Sequence, residues 1–364
     1  MSNKALHLTG VILPESEPRD FWVADGVVVE GPIAGAETIS KRCWVLPGLV
    51  DAHCHIGLGV GGEIPKERIL QQALTARNAG TLLVRDNGVP SDNWWIEDRP
   101  DLPRIIRSGR HIALTKRYLP GLADEVDPQD FVAEVELQCS RGQGWIKFVA
   151  DWIDRSVGDL APCWSADVVA AGIKRAHELG VRVTAHTFGE QAVAEIVDAG
   201  IDCVEHGVGL TDPVIEKMAA NGVGLVPTLC NIENFPMYAA QGEEKFPTYA
   251  AHMRDLYERR LDTLGKAREA GVPIYCGTDA GTVVTYDQAP HEVVKLGAVG
   301  DADFALGAAT WRARPWLNAP CLELGASADF VVYDNDPRAD LRVVTHPSCI
   351  VLRGVIVAEG GTYC

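Results

Sequence analysis

His53 and His55 stand two residues apart at the end of the apolar run Val45-Leu-Pro-Gly-Leu-Val-Asp-Ala-His-Cys-His-Ile-Gly57. In an extended strand successive side chains alternate faces, so residues two apart point the same way. Two imidazoles on one face make half of a divalent-metal site, because neutral imidazole suits zinc, iron, manganese and nickel alike. A bare His-x-His is also a common surface accident, so the reading depends on further ligands at structurally sensible places.

Such residues close other apolar runs. Lys147 ends Gly-Trp-Ile-Lys, His186 ends Val-Arg-Val-Thr-Ala-His, His206 follows Cys-Val-Glu, and Asp279 ends Tyr-Cys-Gly-Thr-Asp. Nitrogen ligands with a carboxylate leave a coordination position open, which lets a metal hold a water and lower its pKa to about 7. Lys147 is the awkward member, because an ammonium has no lone pair and repels a cation. It is a substrate contact, a salt-bridged lysine, or a ligand made by carboxylation, whose carbamate oxygens can bridge two metals.

Something must bring these side chains together. Strand-like runs fall at residues 46–53, 81–85, 104–108, 145–149, 181–185, 201–205, 223–227 and 273–277, separated by amphipathic or Ala-rich stretches such as 165–179 and 255–270. Eight β-α units in roughly 270 residues match an α/β closed parallel (β/α)8 TIM barrel, whose chemistry sits at the C-terminal strand ends. All six candidate residues lie at such ends. A doubly wound open sheet is the alternative, but no Gly-x-Gly-x-x-Gly follows any of these runs. Residues 1–47 read as short strands with an Asp25-Gly26 hairpin turn, and 317–364 have the same texture. Neither could bury a core alone, so the two ends are expected to form a small β-sandwich beside a barrel spanning 48–316.

Composition narrows the partners. Among 364 residues, 33 basic against 50 acidic give a net charge of −17, which disfavours nucleic acid and anionic membrane and leaves a small molecule as the expected partner. Self-association of identical copies stays open. Ten cysteines without a Cys-x-x-Cys pair, no signal-like start and no apolar run of membrane-spanning length point to a cytoplasmic protein with free thiols.

The chain resembles the metal-dependent amidohydrolase superfamily over nearly its whole length, nearest the imidazolonepropionase-like group that includes Xaa-Pro dipeptidase-like enzymes. The segments that carry the resemblance are Pro47-Gly-Leu-Val-Asp-Ala-His-Cys-His55, Val84-Arg-Asp86, Trp145-Ile-Lys147, His186-Thr-Phe-Gly189, Val204-Glu-His-Gly207, Val226-Pro-Thr228, Gly277-Thr-Asp-Ala-Gly281 and Gly325-Ala-Ser-Ala-Asp-Phe-Val-Val-Tyr-Asp334. The resemblance implies two divalent metal ions, with zinc expected, and a hydrolase of C–N amide-type bonds. By it His53 and His55 bind one ion, carboxylated Lys147 bridges, His186 and His206 bind the second, and Asp279 binds the first while acting as acid and base. A deaminase of an aminated heterocycle, a lactam, ester or carbamate hydrolase, and a metal-free scaffold are the alternatives.

The substrate walls depart from the group. Where relatives carry Gly-Gly-His this chain has Thr115-Lys-Arg-Tyr-Leu-Pro120, and a glycine-rich segment after the fourth strand is replaced by Phe148-Val-Ala-Asp-Trp-Ile-Asp154. Lys116, Arg117 and Tyr118 are candidates to meet an anionic group such as the carboxylate of an N-acyl amino acid or dipeptide. Asp151 and Trp152 are further wall candidates, and His291, beyond the eighth strand, is an outside one. His111, His177 and His252 are expected to be structural or solvated.

Overall fold

Apolar runs with no polar face are stable as strands only when both sides are covered, which is the environment of parallel sheets. In the computed structural model, which describes residues 4–359, these runs are such strands. Leu49–Cys54, Thr81–Asp86 and Arg104–Arg107 form a three-stranded parallel sheet. Every residue of the first two is buried. A six-stranded parallel sheet carries, in spatial order, Asp124–Val126, Ile112–Leu114, Trp145–Val149, Arg182–Thr187, Cys203–His206 and Gly224–Val226. Helices between the strands cover their outer faces. The expected helix at 165–179 is Ala166–Glu178, and the one expected at 255–270 is longer, Pro247–Glu269, because Pro247 fixes the first helical φ eight residues upstream.

The eighth expected strand, 273–277, is an extended segment held by bridges. Leu225 N donates to Pro273 O (2.8 Å), Tyr275 N to Leu225 O (2.9 Å), and Ala52 N to Cys276 O (2.8 Å), so the segment joins one sheet to the other. At the opposite seam Gln143 N donates to Arg107 O (2.7 Å). Among the described residues, strand pairing is therefore not continuous around the ring, and the expected closed barrel is seen as two parallel sheets joined on one side.

The appendage also differs from expectation. The ends do pair, but into one seven-stranded mixed sheet in the order Val355–Glu359, Cys349–Leu352, Phe330–Tyr333, Glu37–Pro47, Leu6–Ile12, Pro18–Ala24, Val27–Val29. The far edge of this sheet returns to its other half, since Val28 N donates to Ala326 O (2.9 Å) and Gly325 N to Val28 O (2.8 Å), just before Phe330–Tyr333. Leu6, Leu8, Phe21, Val23, Val45 and Phe330 pack into a small core of their own. Asp25 (φ 51°) and Gly26 (φ 83°) make the hairpin turn that their sequence announces. The nine described cysteines are free, and no described helix is long and apolar enough to cross a membrane.

Candidate metal centre

Five segments bring the six candidate residues to one point. His53 and His55 come from the end of Leu49–Cys54 and the residue after it, Lys147 from the middle of Trp145–Val149, His186 from Arg182–Thr187, His206 from Cys203–His206, and Asp279 from the extended segment. Asp51 fixes the last of these against the first, because its buried carboxylate accepts from His53 N (3.1 Å), Thr278 N (3.0 Å) and Thr278 Oγ1 (2.6 Å).

Asp279 Oδ1 lies 3.0 Å from His53 Nε2 and 3.2 Å from His55 Nε2. The ring protons are drawn to the other side: His53 Nδ1 faces Glu205 Oε2 at 2.7 Å, and His55 Nδ1 donates to Gly88 O at 2.9 Å. His55 Nε2 and a carboxylate oxygen are thus left facing one another without a proton between them, an arrangement that a shared cation resolves, while His53 Nε2 also has Lys147 Nζ at 2.8 Å. His206 Nδ1 meets Thr228 Oγ1 (2.7 Å), and its Nε2 lies 2.9 Å from His186 Nδ1, where one ring proton can bridge the two imidazoles. Ligand atoms of His53, His206 and Asp279 all lie within 4.8 Å of one another. This nitrogen and oxygen donor set fits a divalent ion such as zinc.

Burial sets the protonation states. It lowers the pKa of His55 and His186, and brings His206 to about 3, so these imidazoles are neutral, the form that binds metal. Burial also lifts the Asp279 carboxyl, but the histidines beside it prevail and hold it well below the usual range. Lys147, only 3% exposed, has Nζ 2.8 Å from His53 Nε2. Burial drives its ammonium pKa down, against the pull of Glu205 and Asp279, toward the free amine. His206 (φ 67°), Thr228 (φ 49°) and Asp279 (φ 59°) are non-glycine residues in the left-handed region, a strained backbone of the kind that clusters at functional sites.

Residues that the sequence reading assigned no role support this cluster. Glu205, in the Val-Glu-His stretch, points away from His206 and is fully buried between His53, Thr184 Oγ1 and the Arg85 guanidinium (2.5 Å). Arg85 in turn donates from Nε to Ala52 O (2.7 Å) and lies over the Trp145 ring. On the open side, Asn231 Nδ2 donates to Asp279 Oδ2 (2.8 Å) and Tyr238 OH to Asn231 Oδ1 (2.9 Å). Glu205 has a sequence signal in its place directly before a candidate ligand. Asn231 and Tyr238 have none, since they sit in irregular helices after Gly224–Val226.

The substrate candidates separate. Tyr118 and Trp152 line the cavity above the cluster. Arg117 does not, because its guanidinium donates to Asp154 Oδ2 (2.8 Å), Trp152 O and Ala161 O. Lys116 and His291 are exposed and also lie outside the lining. Of the side chains expected to receive a carboxylate, the two cations, Lys116 and Arg117, are therefore not at the cavity, and Tyr118 is. Asp151 is an anchor, accepting from Phe188 N (3.0 Å) and Gly189 N (2.5 Å) at the start of helix Glu190–Asp198. His177 pairs with Asp202, and His252 with Asp159 and Glu190, as structural histidines do. His111 is buried against the His55 ring and donates to the same Gly88 carbonyl (3.1 Å).

The chain is similar to known proteins along its whole length. The amidohydrolase family model matches residues 44–357. Proteins of Mycobacterium bovis and Mycobacterium tuberculosis, both described as uncharacterized, are 50% identical over 351 residues, covering 96% of this chain and 95% of theirs. Among solved structures, a Xaa-Pro dipeptidase with bound methionine superposes with a TM-score of 0.80 at 23% identity, over 98% of this chain and 100% of that one. Aspergillus niger ochratoxinase gives 0.77 at 19% identity, over 98% and 96%, and molinate hydrolase 0.74 at 16%, over 98% and 95%.

Proposed function

The chain belongs to the amidohydrolase family, enzymes acting on carbon–nitrogen bonds, and from that premise we propose that it hydrolyses an amide-type bond of a small molecule at a binuclear divalent-metal centre. Residues 48–316 would form one (β/α)8 barrel, with 1–47 and 317–364 as the appended domain. His53, His55 and Asp279 would hold one ion, His186 and His206 the other, and Lys147, carboxylated on its Nζ, would bridge them. The observation that carries the proposal is the convergence of the His53, His55, His186 and His206 imidazoles on the Asp279 carboxylate, with His55 Nε2 facing that carboxylate without a proton between them.

Divalent ions there supply an electrophile for a carbonyl oxygen and a water acidified toward neutrality. The chain's own groups do the rest. Asp279 accepts a proton from the attacking water and returns it to the departing nitrogen, so that the C–N bond breaks as acid and amine form. Asn231, braced by Tyr238, holds Asp279 Oδ2 and keeps Oδ1 turned into the cluster. The low basicity of buried Lys147 supports carboxylation, because only the free amine adds carbon dioxide. The Xaa-Pro dipeptidase on the same fold is consistent with C–N chemistry.

Replacing Asp279 by Asn tests this. Turnover should fall by at least about a thousandfold, since proton transfer alone contributes 10²–10⁴-fold, while the melting profile of the metal-loaded protein persists. Near-parental turnover would remove the acid/base role, and release of ammonia from aminated heterocycles in place of amide cleavage would favour a deaminase.

A further inference from the structure

The cavity above the cluster has a volume of about 280 Å³, and we propose that it takes an uncharged amide carrying an aromatic or branched alkyl group, in preference to one bearing a free carboxylate. This names the substrate class of the hydrolytic site proposed above and rests on that reading. The walls are aromatic: Tyr118, Trp152, Phe188, Tyr238 and Tyr249. Tyr118 and Trp152 meet edge to face at 4.7 Å, Trp152 lies 5.4 Å from the His186 ring, and Phe188 is braced from behind by Phe235 at 4.7 Å. Rings fixed in this way offer flat apolar faces close to the scissile position, which a planar or branched apolar group completes.

Outside the cluster, the polar groups that line the cavity are uncharged. They are Asn231, Gln241, Thr282 and the tyrosine hydroxyls. The Tyr118 hydroxyl makes no hydrogen bond to another described residue, so it is free to donate to a carbonyl. Burial raises its pKa and keeps it protonated. No lysine or arginine lines the cavity among the described residues, and Arg117, the cation placed nearest by sequence, is committed to Asp154 and two carbonyls. A substrate carboxylate would lose water here for apolar walls without a guanidinium to receive it, and burial of an uncompensated charge is strongly unfavourable. The net charge of −17 disfavours its approach as well.

A matched pair tests the proposal. Para-methylacetanilide and para-acetamidobenzoate present the same amide and differ in a methyl against a carboxylate. Their binding to metal-loaded Asp279→Asn protein is measured by calorimetry, and aniline release by the parent enzyme is followed separately. The methyl compound should bind at least tenfold more tightly and show at least a tenfold higher kcat/KM. Gln241→Arg, which installs a cation on the wall, should move both ratios toward the carboxylate by tenfold or more. Equal binding, including no detectable binding of either, or preference for the carboxylate would overturn the inference. Preferred binding of the methyl compound without amine release by the parent enzyme would leave the inference standing and count against the hydrolytic reading.

Discussion

Glu205→Gln is the perturbation whose cost follows most directly from the structure. The carboxylate is fully buried, with one oxygen 2.5 Å from Arg85 Nη2 and the other 2.7 Å from His53 Nδ1. Burial opposes its charge, yet Arg85 and His53 lower its pKa strongly, so it is ionised at any ordinary pH. Glutamine keeps the shape and removes the charge, leaving the Arg85 guanidinium buried without a counter-ion. Removing one partner of a buried pair costs about 3–5 kcal/mol. In a chain of this size that corresponds to a fall in Tm of roughly 6–10 °C, at about 2 °C per kcal/mol. His53 also loses the acceptor that pins its proton to Nδ1, and losing such a support weakens metal binding by about 10–100-fold. Scanning calorimetry of the apo form isolates the first effect, and chelator competition on the loaded form measures the second. Adding Arg85→Met should restore part of the apo stability without restoring metal affinity. An apo Tm within about 2 °C of the parent, together with unchanged metal affinity, would refute the reasoning.

Two further perturbations probe the surroundings. Asp151→Ala leaves the Phe188 and Gly189 amides without their acceptor, so a loss of about 2 kcal/mol is expected in denaturant melts, and KM should rise because Trp152 sits next to the freed anchor. His252 is held by Glu190 first and by Asp159, and Arg259 shares Glu190; the pairing raises the His252 pKa to about 9. Since the folded pKa lies above the free value of 6.5, the pairing stabilises fully below pH 6.5 and is lost as pH rises through about 9. The parent should therefore lose more Tm between pH 6.5 and 10 than His252→Gln. Parallel profiles would show that His252 carries no such linkage.

Much of the centre was legible in the sequence because it is local. His53 and His55 share a face by strand period, and His186, His206 and Asp279 each close an apolar run, so chain order placed them at one end of parallel strands before any contact was known. The 273–277 run was legible as a strand, and it is bonded on both sides, to Leu225 and to Ala52, through isolated backbone bonds and not a regular ladder. Arg117 shows the opposite limit. Its type suggested a carboxylate receptor, but its direction is set by Asp154, 37 residues away, and by carbonyls of a hairpin that no local pattern places beside it. Asn231 and Tyr238 were invisible for the same reason, since their value lies in reaching Asp279 across the cavity. The appended sheet was foreseen as a joint product of the two ends, but its strand order and the return of its far edge to residues 325–328 depend on tertiary packing that strand texture does not encode.

The most direct measurement is metal content by elemental analysis of the purified full-length protein, alongside the His186→Ala/His206→Ala variant. The parent should hold two equivalents of divalent metal per chain and the variant no more than one. A parent that binds none after incubation with zinc, or a variant that still binds two, would contradict the assignment of these residues to a binuclear centre.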